Sequence, residues 1–176
     1  MIMRPGQPLL LPVKPWFIWT STLLALLLQM LLNMAILGRA AWTPDLLALV
    51  LLFWVVHEPL RLNIGAAFFF GLLLDVHQGA LLGQHALAYT VMAYLATRIH
   101  RRLLWFDLTS QAIQVLPLLL AMHALQWLVR LLAGDGWAGW PLLLSPPLEA
   151  LLWPVVAFVL LAPQRRPHDP DENRPL

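Results

Sequence analysis

Long apolar segments, separated by short stretches that contain charged residues, glycine or proline, dominate the chain. The first runs over residues 16–37 without a charged side chain and begins with Trp16 and Trp19. Aromatic rings of this kind are typical of the membrane–water interface. A helix crosses the ~30 Å hydrocarbon core with about 20 apolar residues. The segment therefore predicts a membrane-spanning helix, and it is too long for the apolar part of a signal peptide.

The same pattern predicts six spans in all. They lie at 16–37, 42–56, 63–74, 82–99, 108–132 and 147–161. The second and third are short, so we expect flanking residues or a thinner bilayer to compensate for their length. Pro117 and Pro154 fall inside the last two spans, where proline removes a helical hydrogen bond. The fold class predicted is an all-α, polytopic transmembrane helix bundle.

The basic residues predict the orientation of this bundle. With six spans both termini lie on one side, and that side holds every Lys and Arg except Arg39 and Arg130. Positive residues favour the cytoplasmic side, so both termini are expected there. We accordingly expect residues 1–15 to be a cytoplasmic leader, 16–162 the transmembrane domain and 163–176 a disordered cytoplasmic tail.

Composition excludes several classes of protein. Of the 176 residues, 60% are hydrophobic and 11% are charged. An ordinary soluble domain has about 45–50% apolar and about 25% charged residues, so the composition excludes a soluble globular fold. The chain has no cysteine, which excludes a disulfide scaffold, a thiol nucleophile and a cysteine-bound metal. A net charge of +2 is too small to indicate a nucleic-acid partner.

The motifs of common hydrolases are incomplete in this chain. His57 and Glu58 resemble the start of a zinc-protease helix, but the second His would have to stand where Arg61 does. No serine lies in a Gly-x-Ser-x-Gly setting, and no spacing pairs Asp75 with Glu149. We therefore predict a protein that is not an enzyme and has no metal or cofactor.

Asp75 is the acidic residue that most needs an explanation, because it stands between Gly71 and Gly79 at the end of the third predicted span. A carboxylate at bilayer depth costs about 2.5–3.5 kcal/mol on insertion scales. One interpretation is a buried polar anchor at a helix junction or partner surface. The other is a carboxylate that reaches interfacial water at the helix end.

Two pairs of polar residues repeat at helical spacing within spans. Gln29 and Asn33 lie four residues apart in the first, and His123 and Gln126 lie three apart in the fifth. Such residues form hydrogen bonds between membrane helices, or they could line a polar cavity for a transported ligand. Arg130, late in the fifth span, is expected to extend to the headgroups.

A longer pattern extends over most of residues 16–162. Its elements are Pro44 and Trp54, the segment Pro59-Leu60-Arg61-Leu62-Asn63-Ile64-Gly65, then Phe68, Gly71, Asp75, Gly79, Leu82, Gly83 and Ala93-Tyr94-Leu95, and finally Leu152-Trp153-Pro154. In order and spacing this pattern resembles the MreD family, the rod shape-determining membrane proteins of bacteria.

The resemblance implies a non-enzymatic scaffold of the cell-wall elongation complex in the bacterial inner membrane. Its partners would be MreC and membrane lipid and, indirectly, MreB, RodA and a penicillin-binding transpeptidase. The residues expected to serve structure or partner contact are Arg61, Gly71, Asp75, Gly79 and Gly83.

The family's helical arrangement is thought to be similar to the substrate-binding components of energy-coupling-factor vitamin transporters. An alternative function follows from this likeness, namely a substrate-binding membrane subunit for a small molecule or a lipid-linked precursor. The polar cavity of such a subunit would involve Gln29, Asn33, His123 and Gln126.

Overall fold

The computed structural model describes residues 13–35, 43–134, 139 and 143–164. Within these ranges the chain is helical and contains no strand, so the predicted all-α class is confirmed. The helices are α1 (Pro15–Ala35), α2 (Leu46–His57), α3 (Ile64–Gln78), α4 (Gln84–Leu103), α5 (Leu108–Leu132) and α6 (Ser145–Leu161), followed by a 3-10 turn (Ala162–Gln164). The predicted leader up to residue 12 and the tail from residue 165 lie outside the described residues.

Among the described residues, three helices are long and apolar enough to cross a membrane, namely α1, α5 and α6 with its 3-10 turn. The chain is therefore a transmembrane protein. Helices α2 and α3 are apolar but contain only 12 and 15 residues, and α4 carries many polar side chains. The crossing of the bilayer by these three helices remains a prediction.

Three helix boundaries differ from the predicted ones by four residues. Helix α2 begins at Leu46 and not at residue 42, because the Asp45 side chain accepts from the amide of Ala48 and caps the helix there. Helix α3 continues past Asp75 and ends at Gly79, whose φ of 58° lies in the left-handed region that glycine adopts easily. The amide of Ala80 then donates to the carbonyl oxygen of Asp75 at 3.1 Å, which completes a Schellman motif. Helix α4 continues past His100 to Leu103, since basic residues stabilise the negative end of a helix dipole.

Helix α2 lies at the centre of the bundle. Every residue from Leu47 to Val56 is buried, and the helix packs against α1, α4 and α6. A helix that is apolar all round is typical of a fully enclosed position. Trp54 lies in this core, and its indole nitrogen donates to Ser21 Oγ at 2.9 Å. A buried ring is thus enclosed without leaving its polar atom unpaired.

Neighbouring helices in the sequence run in opposite directions. The beginning of α2 is bonded to the late part of α1, because the amide of Leu46 donates to Gln29 Oε1 at 2.9 Å. The early part of α5 meets the middle of α6, where Trp153 Nε1 donates to Gln111 Oε1 at 3.2 Å, and the later His123 meets Glu149 near the beginning of α6. The ends of α1, α3 and α5 therefore meet the beginnings of α2, α4 and α6 at one end of the bundle, which we call the cavity end.

Side chains cap several helices. Asp107 precedes α5, and its carboxylate accepts hydrogen bonds from the amide of Ser110 and the hydroxyl of Thr109. These bonds to Ser110 and Thr109 favour the charged carboxylate and lower the pKa of Asp107 to about 2. The same kind of cap at Asp45 and Asp75 organises the cavity end, as described next.

Candidate functional site

Asp75 is fully buried and holds the beginning of α4. Its Oδ2 accepts from the amides of Gly83 at 2.9 Å and Ala86 at 3.3 Å. Its Oδ1 accepts from the amide of His85 at 2.9 Å and lies 2.7 Å from His85 Nδ1. Amides at a helix beginning have no partner within the helix, so the carboxylate supplies what they need. The burial of Asp75 and its contacts with α4 favour the interpretation as a polar anchor between α3 and α4.

The three glycines around Asp75 allow α3 and α4 to meet closely. A Cβ on Gly71 would lie 2.4 Å from the Cα of Ala86, so a side chain there cannot fit without separating the two helices. Gly83 precedes α4 with a φ of 99°, a left-handed conformation that other residues rarely adopt. Together with Gly79 at the end of α3, these residues build the turn that brings His85 to Asp75.

A second buried carboxylate, Glu149 on α6, joins three segments of the chain. Its Oε1 accepts from the backbone nitrogen of Asp45 at 2.8 Å and from the Ser145 hydroxyl at 2.9 Å. The same oxygen lies 2.8 Å from His123 Nε2 on α5. The Ser145 hydroxyl also lies 3.0 Å from the carbonyl oxygen of Thr43, and its single hydrogen can serve one acceptor at a time.

Asp45 and Tyr89 connect this cluster to α4. The Asp45 Oδ1 caps α2 by accepting from the amide of Ala48 at 2.9 Å, and its Oδ2 accepts from the hydroxyl of the fully buried Tyr89. The rings of Tyr89 and His85 are in edge contact, with centroids 6.0 Å apart. The Asp75 and Glu149 clusters thus form one polar layer across the cavity end of the bundle.

This layer forms part of the wall of a cavity of about 540 Å³. All six helices or the segments next to them contribute to the lining, and the polar residues that matter here are Gln29, Asn33, Asp45, Gln84, His123 and Gln126. A smaller pocket of about 210 Å³ adjoins it and shares Asn33 and Gln78. Small-molecule sites commonly have volumes of about 300–1,000 Å³, so the larger cavity has the size of a ligand site.

Three side-chain amide nitrogens at the cavity make no hydrogen bond within the structure, although each is buried. They are Asn33 Nδ2, Gln84 Nε2 and Gln126 Nε2. Gln84 as a whole is only 2% exposed. Buried polar atoms are nearly always paired in folded proteins, so three such donors around one space indicate that the space is suited to a group that accepts hydrogen bonds.

The structure gathers the four polar residues that the sequence pairs at helical spacing. Gln29, Asn33, His123 and Gln126 all line the same cavity. Arg61 lies elsewhere: its guanidinium donates to the carbonyl oxygen of Val13, before α1. Its Nε is also 3.7 Å from Glu58 Oε2, after α2, so Arg61 is at the end of the bundle opposite the cavity.

Several residues of the site were missed by sequence reasoning. Asp45 and Tyr89 form a pair 44 positions apart, and Glu149 was noted only as an acid without a partner. One signal could have identified Glu149, because a carboxyl group within an apolar span is a functional candidate by default. Arg130, expected at the headgroups, also lines the cavity. Among the described residues, no group of three His, Cys, Asp or Glu side chains is placed to hold a metal ion.

Comparison with known proteins agrees with the pattern in the sequence. The family model for rod shape-determining protein MreD matches residues 12–162. The rod shape-determining protein MreD of Haemophilus influenzae is 32% identical over 123 residues, which cover 70% of this chain and 75% of that protein. No solved structure matches the chain significantly. Since the family model extends over all six helices, the chain belongs to the MreD family of rod shape-determining proteins.

Proposed function

We propose that the protein is a non-enzymatic scaffold of the cell-wall elongation complex in the bacterial inner membrane. It maintains rod shape by binding MreC and by linking MreC to the peptidoglycan synthases RodA and a penicillin-binding transpeptidase and to MreB. Both termini face the cytoplasm, as the basic residues predict. The observation that carries this proposal is the family match over residues 12–162, because it includes every helix of the bundle.

The geometry limits which residues can touch MreC. Gly71 and Asp75 are buried between α3 and α4, so they influence a partner through the fold and not by contact. Exposed apolar side chains lie on the outer faces of the three long helices: Leu24 on α1, Ile113 on α5 and Leu151 on α6. Membrane helices associate through packing and interhelical hydrogen bonds, so one of these faces is where a single helix of MreC would pack.

Site-specific photo-crosslinking tests the proposal directly. A photoreactive residue is placed at Leu24, Ile113 or Leu151 in cells that also produce MreC, and a crosslinked pair is expected from one face. The same residue at Leu52, which is fully buried in α2, is the control and should give no crosslink. If no face crosslinks to MreC, the tagged chain does not co-purify with MreC, and cells lacking the protein keep their rod shape, the proposal is wrong.

The cavity favours a second candidate function. A space of about 540 Å³ lined by Gln29, Asn33, His123 and Gln126 is what a substrate-binding membrane subunit for a small molecule or a lipid-linked precursor would need. Uptake of a small solute into liposomes that contain the purified chain would support this candidate over the scaffold. Liposomes with the chain in which Gln126→Leu is introduced are the matched control.

A further inference from the structure

The cavity wall contains hydrogen-bond donors that the protein leaves unused. Three of its buried amide nitrogens, on Asn33, Gln84 and Gln126, have no partner in the structure. By contrast, the Asp45 oxygens accept from Ala48 and Tyr89. The Asp45 carboxylate is thus already engaged within the protein, whereas the three amide nitrogens are available to a ligand. A molecule that fits must therefore be rich in acceptor oxygens.

The charged residues in and behind the cavity wall indicate what charge the ligand carries. The Asp45 carboxylate is in the wall, and Asp75 lies directly behind His85, another lining residue. Glu149 lies behind Ser145 and His123 in the same way. The side chain of Arg130 also lines the cavity and carries a positive charge. The described lining thus holds one carboxylate and one guanidinium, with two further carboxylates behind it, and its unpaired donors are neutral amides. This balance of charge favours an uncharged ligand over an anion.

We propose that this cavity binds an uncharged, polyhydroxylated group, a sugar or similar polyol, whose oxygens accept hydrogen bonds from Asn33, Gln84 and Gln126. The ring of Trp127 also lines the cavity and supplies a flat surface for the C–H face of a sugar ring. The group arrives either as a free sugar in water or as the headgroup of a glycolipid. This proposal shares with the second candidate function the requirement that the cavity binds a ligand. It does not require that the protein transports that ligand.

The test uses the full chain in phosphatidylcholine nanodiscs prepared without sugar-based detergents. Maltose and N-acetylglucosamine are the soluble probes, and a glucosyl diacylglycerol built into the nanodisc is the lipid probe. Inorganic phosphate and phosphatidylglycerol are the anionic probes. The readout is the melting temperature as a function of probe concentration, because a ligand that binds the folded state stabilises it by an amount that grows with the logarithm of the ratio of ligand concentration to Kd.

Gln126→Leu removes one donor at the cavity, and Gln114→Leu is the matched control. Both residues are half-buried on α5, but Gln114 is outside the cavity lining. We expect Gln126→Leu to weaken binding about three- to tenfold, the worth of one neutral hydrogen bond, and Gln114→Leu to leave it unchanged. Gln84→Leu is the second variant, with the same expected loss.

The outcomes separate the alternatives. Binding of a soluble sugar that the Gln126 variant loses supports the proposal with a free ligand, and binding of the glycolipid alone supports it with a headgroup. The proposal is overturned if no neutral probe binds, if phosphate or phosphatidylglycerol binds instead, or if the Gln126 and Gln114 variants bind equally. If a sugar binds but no solute is taken up, the transporter function is contradicted and the sugar-binding inference is supported. If no sugar binds but the chain still associates with MreC, the sugar-binding inference is wrong and the proposed scaffold function is unaffected.

Discussion

Glu149 Oε1 lies 2.8 Å from the backbone nitrogen of Asp45, although 104 residues separate the two in the chain. The contact connects the beginning of α6 to the beginning of α2. His123 completes it from α5 at 2.8 Å from the same oxygen. One carboxylate therefore fixes the relative positions of three helices at the cavity end.

Replacing Glu149 should destabilise the bundle in a graded way. Glu149→Leu removes the acceptor for the Asp45 amide and for His123, and each donor left unpaired costs about 1–3 kcal/mol. The Ser145 hydroxyl can still donate to the carbonyl oxygen of Thr43. Glu149→Gln retains an acceptor oxygen and should cost less. The free energy of unfolding in detergent, measured by titration with a denaturing detergent, gives both values. A Glu149→Leu variant as stable as the natural chain would show that the carboxylate does not hold these helices together.

Gly71→Ala should separate α3 from α4. Its Cβ would lie 2.4 Å from the Cα of Ala86, and overpacking of this kind costs about 1–3 kcal/mol. Gly65→Ala on the same helix is the control. Its nearest neighbour is Asn63 Oδ1 at 3.3 Å, the side-chain atom that caps α3. Stability should therefore fall less than in Gly71→Ala, by at most about 1 kcal/mol, the worth of a helix cap. The melting temperatures of the two variants compare them, and similar values would contradict the close packing at Gly71.

Asp75 and His85 should behave as one unit. We expect the cost of Asp75→Leu and His85→Leu together to be smaller than the sum of the single costs, by about 0.5–3 kcal/mol. His77→Leu on the last turn of α3 should add to Asp75→Leu without such coupling, because no hydrogen bond joins His77 to that carboxylate. A double-mutant cycle on unfolding free energies measures both, and additivity of Asp75 with His85 would contradict the anchor.

The orientation can be read from single cysteines, because the natural chain contains none. Leu60 in the α2–α3 turn is 94% exposed, and Leu82 in the α3–α4 turn is 75% exposed. A membrane-impermeant maleimide is added to spheroplasts, whose inner membrane is sealed. It should label Leu82→Cys and not Leu60→Cys. The reverse pattern would invert the orientation, and labelling of both from one side would contradict the crossing of the bilayer by α3.

Sequence reasoning predicted the helical class and the polar faces of α1 and α5, because helical spacing is local. The periodicity of a single helix is enough to place two polar residues on one face. This applies to Gln29 with Asn33 on α1 and to His123 with Gln126 on α5. The pairing of Asp45 with Glu149 could not be predicted in this way, since it depends on how α2 and α6 pack.

The central position of α2 was also beyond prediction from its pattern. A segment such as Leu47–Val56 is apolar at every position, and lipid and protein are equally suitable surroundings for such residues. The end of α3 was misplaced for a different reason. A charged residue was expected to stop the helix, whereas Asp75 finds its partners on α4 and the helix ends four residues later at Gly79.

The enclosure of α2 has a consequence for how the protein is made. Its 12 residues extend about 18 Å, well short of the ~30 Å hydrocarbon core, so α2 is a weak insertion signal when it leaves the ribosome. One of the helices that enclose it, α6, is synthesised after the other five described helices. Biogenesis therefore cannot be completed helix by helix, and a chain arrested before residue 145 would expose the sides of α2 to lipids and quality-control proteases.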